Sequence, residues 1–129
     1  MNDRPTSVEL LRAVERFLQK DAVPALSGPQ RYHARVAANV VAIVAREIET
    51  EENQLRGEWE RLGCLLSLDE DRPEAREALR ADVRARSESL VQRIRAGDAD
   101  AGRWRDDVLA HLRRTVADKL DVARPPRAD

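Results

Sequence analysis

Few side chains in this sequence are placed for chemistry. His33 and His111 are its two histidines, and a di-metal helical bundle would need a glutamate three residues before each. Gln30 and Val108 stand there instead, so the carboxylate half of that motif is missing twice. No His-Glu-x-x-His occurs, and the single Cys64 cannot build a cysteine-rich zinc site. Gly28, Gly57, Gly63, Gly97 and Gly102 form neither a Walker loop nor a dinucleotide fingerprint, and no Gly-x-Ser-x-Gly elbow presents a serine nucleophile. Glu47, Glu49, Glu51 and Glu52 crowd together as solvated charge at a helix end does, not as an acid/base pair. The expectation is a chain with no catalytic centre, metal or cofactor of its own.

The polar residues that remain are suited to recognition or packing. From Arg31 to Glu47, valine, isoleucine and alanine cover most of a helical circumference. At about 100° per residue from Val36, Arg35, Arg46 and Asn39 gather near about 260°, 280° and 300°. A helix this apolar belongs inside a bundle, and so narrow a strip is either an internal hydrogen-bonded network or the lining of a contact surface. His33, near about 60°, falls on the apolar side as a satisfied core histidine would. Arg72, Arg76, Arg80 and Arg84 recur every fourth residue, but Glu74, Glu77 and Asp82 interrupt them, which describes a salt-bridged solvent face. Near the C-terminus, Lys119 lies within an apolar row beside Thr115, while His111 and Asp118 share its flank. A lysine so placed must be paired, snorkel to the helix end or meet a partner. In an up-and-down bundle, Asp118 or Lys119 comes near His33, Arg35 or Asn39.

The elements that position these residues are all helical. Thr6-Ser7-Val8-Glu9 is a capping box, and a first helix runs from about Ser7 to Lys20. Asp21 to Pro24 loosens or kinks it, and Ser27-Gly28-Pro29 stops it. A second helix ends near Glu49 to Glu52, and a third carries Leu55, Trp59, Leu62, Leu65 and Leu66 on one face. Pro73 suits the first position of a fourth helix, which Gly97 caps. In the fifth, Trp104, Val108, Leu112, Val116 and Leu120 form a core-facing row before Ala123-Arg124-Pro125-Pro126 ends it. The expected fold is a single all-α domain over 1–129, a mostly up-and-down bundle of four or five helices. Mobile ends are expected at about 1–5 and 124–129.

Composition agrees. In 129 residues, 36% are charged and 42% hydrophobic, a folded, helical balance, while 3% aromatics leave the core to Leu, Val, Ile and Ala. The 23 basic and 24 acidic residues leave a net charge of −1, which gives no global pull towards nucleic acid. Cys64, beside Leu62, Leu65 and Leu66, is expected as a small core residue and makes no internal disulfide. No signal region or bilayer-spanning run is found, so a cytoplasmic protein without membrane contact is expected.

Certain stretches together resemble a bacterial family of small helical proteins grouped as a domain of unknown function. They are Arg4-Pro5-Thr6 through Leu10-Leu11, His33-Ala34-Arg35-Val36-Ala37-Ala38-Asn39 and Ala45-Arg46-Glu47, then Ile94-Arg95-Ala96-Gly97, Leu112-Arg113 and Thr115-Val116-Ala117-Asp118-Lys119-Leu120. Such proteins are encoded beside an aminoglycoside-phosphotransferase-like kinase and an acyl-CoA dehydrogenase-like enzyme, and one relative is the small subunit of a hydroxyacyl-CoA kinase in short-chain acid catabolism. The resemblance implies a non-catalytic accessory subunit of such a kinase. Arg35, Asn39, Arg46, Arg95, Asp118 and Lys119 are the expected partner-facing or network residues. The alternative is a self-sufficient homo-oligomeric module holding a small ligand between helices.

Overall fold

A computed structural model describes residues 3–124, all of them helix or connecting turn. In order come α1 (Ser7–Phe17), a π-helical turn (Leu18–Ala22), the short α2 (Val23–Ala25), α3 (Gly28–Leu66), α4 (Arg76–Arg95) and α5 (Arg103–Ala123). The fold is all-α. Of the ends expected to be mobile, residues 1–2 and 125–129 lie outside the described residues. The helices group into two compact units, one of residues 3–50 with 122–124 and the other of Glu51–Asp121.

In the first unit, Thr6 caps α1: its hydroxyl accepts from the Glu9 N–H at 3.2 Å, and the Glu9 carboxylate accepts from the Thr6 N–H at 2.7 Å. The π turn has a local cause. Pro24 has no N–H and its ring collides with the carbonyl four residues back, so the chain widens, and the Val23 N–H bonds the Leu18 carbonyl five residues earlier. Arg31 then closes this end by donating to the carbonyls of Val23 (3.1 Å) and Leu26 (2.8 Å). Arg12, midway along α1, bonds Glu49 at 3.0 Å, while Arg31 near the start of α3 reaches Val23 beyond the end of α1, so α1 runs antiparallel to the first part of α3. The buried side of that part is Ala34, Ala38, Ala42 and Ala45.

The second unit packs the last part of α3 with α4 and most of α5. Trp59, Leu62 and Leu65 meet Leu79, Val83, Leu90 and Val108, with Leu55, Leu66, Ile94 and Trp104 around them. Side-chain pairs reveal the directions. Glu51 pairs with Arg80 and Trp59 with Asp82, so α4 runs parallel to α3, and the segment from Ser67 to Ala75 returns along it, tied by Arg72 to Glu60 at 3.2 Å. Gln54 bonds the Asp118 carbonyl at 3.1 Å and Trp104 bonds the Leu65 carbonyl at 2.9 Å, so α5 is antiparallel to α3. Gly97 ends α4 in the left-handed region (φ 91°), its N–H bonding Ile94 and that of Asp98 bonding Arg93. Ser67, at φ 54°, ends α3 with the same pair of bonds to Cys64 and Gly63.

Several expectations need correction. The second and third expected helices are one 39-residue helix, α3. Glu47 to Glu52 contains no glycine or proline, and glutamate is a good helix former, so the charge run changes the helix's surroundings without stopping it. The first part of α3 is not enclosed: Val36, Val40, Val44 and Ile48 are exposed, because the alanine side is the one that packs. His33 is exposed, edge-on to Tyr32 at 5.7 Å between ring centres, and is no core histidine. Cys64 is exposed too, while the neighbouring Leu62 and Leu65 are buried. Helix α4 starts three residues after Pro73, at Arg76. In α5 the apolar row is core-facing only at its start, since Leu112, Val116 and Leu120 are exposed. A row stepping by four drifts about 40° each time, whereas alternating steps of three and four stay in line, and the buried row is Val108, His111 and Asp118 with Thr115.

Candidate functional site

Of the expected residues, Arg35, Asn39 and Arg46 come together. With Ala38 and Ala42 they line one wall of a groove of about 360 Å³, and Glu15, Gln19 and Val23 line the other. The π turn shapes this second wall, since Gln19 lies within it and Val23 follows it. Antiparallel packing of α1 on α3 brings the walls together. Glu15 is already engaged: it accepts from Arg12 at 2.8 Å and from Gln19 at 3.4 Å. Arg12, held by Glu15 and Glu49, has its pKa raised further above its ordinary value by those bonds.

The two groove arginines are held differently. Arg46 donates from Nε to the Val122 carbonyl at 2.9 Å, while its Nη2 is shut from solvent without an acceptor. A buried donor left unpaired costs about 1–3 kcal/mol. Arg35 and Asn39 are exposed, with no side-chain hydrogen bond or ion pair among the described residues. Arg35 and Arg46 thus line a concavity whose carboxylate, Glu15, is already hydrogen-bonded on both oxygens.

Asp118 is placed elsewhere, in the second unit. It is buried, with Oδ1 3.1 Å from Arg114 Nε and Oδ2 3.6 Å from Arg61 Nη2. Arg61 also donates from Nε to His111 Nδ1 at 3.4 Å. His111 is buried, and its pKa is lowered from the ordinary value, first by desolvation and then by the positive charge of Arg61. It therefore rests neutral, accepting through Nδ1. Arg61, Cys64, Leu65, Trp104, Asp107, Ala110 and His111 line a second cavity of about 440 Å³. Lys119 is exposed, and Arg95 is exposed beside Arg84, Glu88 and Gln92 near the end of α4. Among the described residues no three His, Cys, Asp or Glu side chains converge on a metal position. No helix there is long and apolar enough to cross a membrane.

Sequence reasoning missed Arg61 and Arg86. Arg86 is 3% exposed, with Nε 3.1 Å from Asp82 and Nη2 3.1 Å from Glu70. The spacing Leu79, Val83, Arg86, Leu90 was the available signal, because it places the arginine within a core row.

Residues 24–126 match a family described as a domain of unknown function (DUF6285). No curated protein and no solved structure matches the chain.

Proposed function

The chain belongs to the DUF6285 family, and we propose that it works as a non-catalytic accessory subunit that completes or stabilises a larger enzyme. The observation that carries this reading is the surface of the first unit. Val36, Val40, Val44 and Ile48 on α3 and Leu10, Val14 and Phe17 on α1 are exposed in rows at helical spacing, Phe17 by 58% and Val40 by 51%. Single exposed apolar residues are ordinary, but rows of them form ridges of the kind that pack into a partner's grooves. The partner we propose is an aminoglycoside-phosphotransferase-like kinase acting on a hydroxyacyl-CoA or related metabolite, as the family resemblance implies. That enzyme brings its own phosphate-binding groups, so the small subunit needs none. Co-expression with an aminoglycoside-phosphotransferase-like kinase tests the reading. Co-elution, and kinase turnover that needs this chain, are expected; turnover indifferent to it overturns the proposal.

The groove lined by Arg46 and by the unpartnered Arg35 and Asn39 favours a second reading, a homo-oligomeric module that holds a small ligand without a kinase. A stable homo-oligomer that retains a small acid and ignores the kinase would establish that one.

A further inference from the structure

We infer that the groove between α1 and the first part of α3 binds the carboxylate or phosphate group of a small organic molecule. Arg35, Asn39 and Arg46 follow one another along one face of α3, spanning about 16 Å at a helical rise of about 1.5 Å per residue. Arg35 and Asn39 supply a planar guanidinium fork and an amide, donors that fit anionic oxygen, and Arg46 adds positive charge further along the groove. Arg35 and Asn39 have no partner among the described residues. The carboxylate of Glu15 does not compete, because Arg12 and Gln19 occupy it at 2.8 and 3.4 Å. The Val122 carbonyl holds Arg46 by its Nε, and that side chain lines the groove further along α3.

Size and lining point to a small molecule. The groove measures about 360 Å³, within the range of small-ligand sites, and Val23, Ala38 and Ala42 offer apolar wall beside the donors. An anionic head therefore meets Arg35 and Asn39, one turn apart on α3, and a short apolar body lies against the valine and alanines. The site needs no kinase partner, so it is tested on the isolated chain, apart from the accessory-subunit reading.

The experiment follows the arginine Nε–H resonances of the ¹⁵N-labelled full chain through separate titrations with inorganic phosphate and with butyrate. At least one anion is expected to shift the Arg35 signal saturably. Saturation by phosphate alone assigns a phosphate ester, by butyrate alone a carboxylic acid, and by both the shared anionic oxygen. Arg35→Gln or Asn39→Ala should weaken binding about tenfold or more, as expected for losing hydrogen bonds to a charged group. Neither change should move the thermal unfolding temperature, since neither side chain has a partner in the fold. Arg95→Gln should keep full affinity. Shifts that stay linear with both anions, or saturable binding that neither groove variant weakens, overturn the assignment.

Discussion

Arg86 stands over the ring of Trp59, its guanidinium carbon 4.0 Å from the ring centre, and the two side chains share one acceptor. The Trp59 indole N–H donates to Asp82 Oδ2 at 2.5 Å, and Arg86 Nε donates to the same oxygen at 3.1 Å. Glu70 adds a second carboxylate at 3.1 Å from Arg86 Nη2. An arginine in a core row is tolerated here because both ends of its charge are answered.

Arg86→Ala should therefore destabilise the chain by about 2–3 kcal/mol, below the full cost of breaking a buried pair because Asp82 and Glu70 are partly solvated. Arg86→Met should lose less, since it keeps the packing on Trp59. Urea denaturation of the two variants checks the order.

The neutral, buried His111 makes stability depend on pH. Its folded pKa lies below the ordinary 6.5, so below that value the unfolded chain takes up a proton that the folded chain resists. Its contribution is complete above pH 6.5 and is lost as pH falls from there towards the folded value. Unfolding free energies between pH 8 and pH 5 (about neutral to mildly acidic) should decline, and His111→Gln should flatten that decline.

Much of the architecture was legible because its signals are local. Thr6 with Glu9, Gly97 past the end of α4, and the leucine face after Leu55 each state their role within a few residues. The unbroken α3 was not legible in that way. Its charged middle resembles an end, and only the lack of a breaker showed otherwise. Burial was harder still, since an alanine row and a valine row look equally apolar, and which one packs depends on where the neighbouring helix lies. Of the groove, Arg35, Asn39 and Arg46 stood out as a strip, but Glu15, Gln19 and Val23 come from another element and carried no shared pattern. Asp118 was marked as important without its true partners, because Arg61 is distant in sequence.

Gly97→Ala should cost about 1–2 kcal/mol, because its φ of 91° is unfavourable for an L side chain. An added Cβ would also lie 3.1 Å from Asp100 Oδ2. Thermal unfolding should show a lower midpoint with an unchanged helical spectrum.

Val40→Asp on the exposed row of α3 should change the stability of the isolated chain by less than about 0.5 kcal/mol. Co-elution with the proposed kinase partner should be lost. Chemical denaturation and size-exclusion chromatography of the same variant read the two effects separately.

The parallel course of α3 and α4 bears on the order in which the second unit assembles. Helices α4 and α5 are joined by a short turn and meet as antiparallel neighbours, with Arg93 over Trp104 at 4.0 Å, so this hairpin forms from contacts close in sequence. The pairing of α3 with α4 must wait until the whole return segment is laid back along α3, which costs more loop-closure entropy before any contact repays it. Folding should therefore nucleate in the α4–α5 hairpin. Substitutions at its turn would slow refolding, while those tying the return segment, such as at Arg72, would mainly speed unfolding.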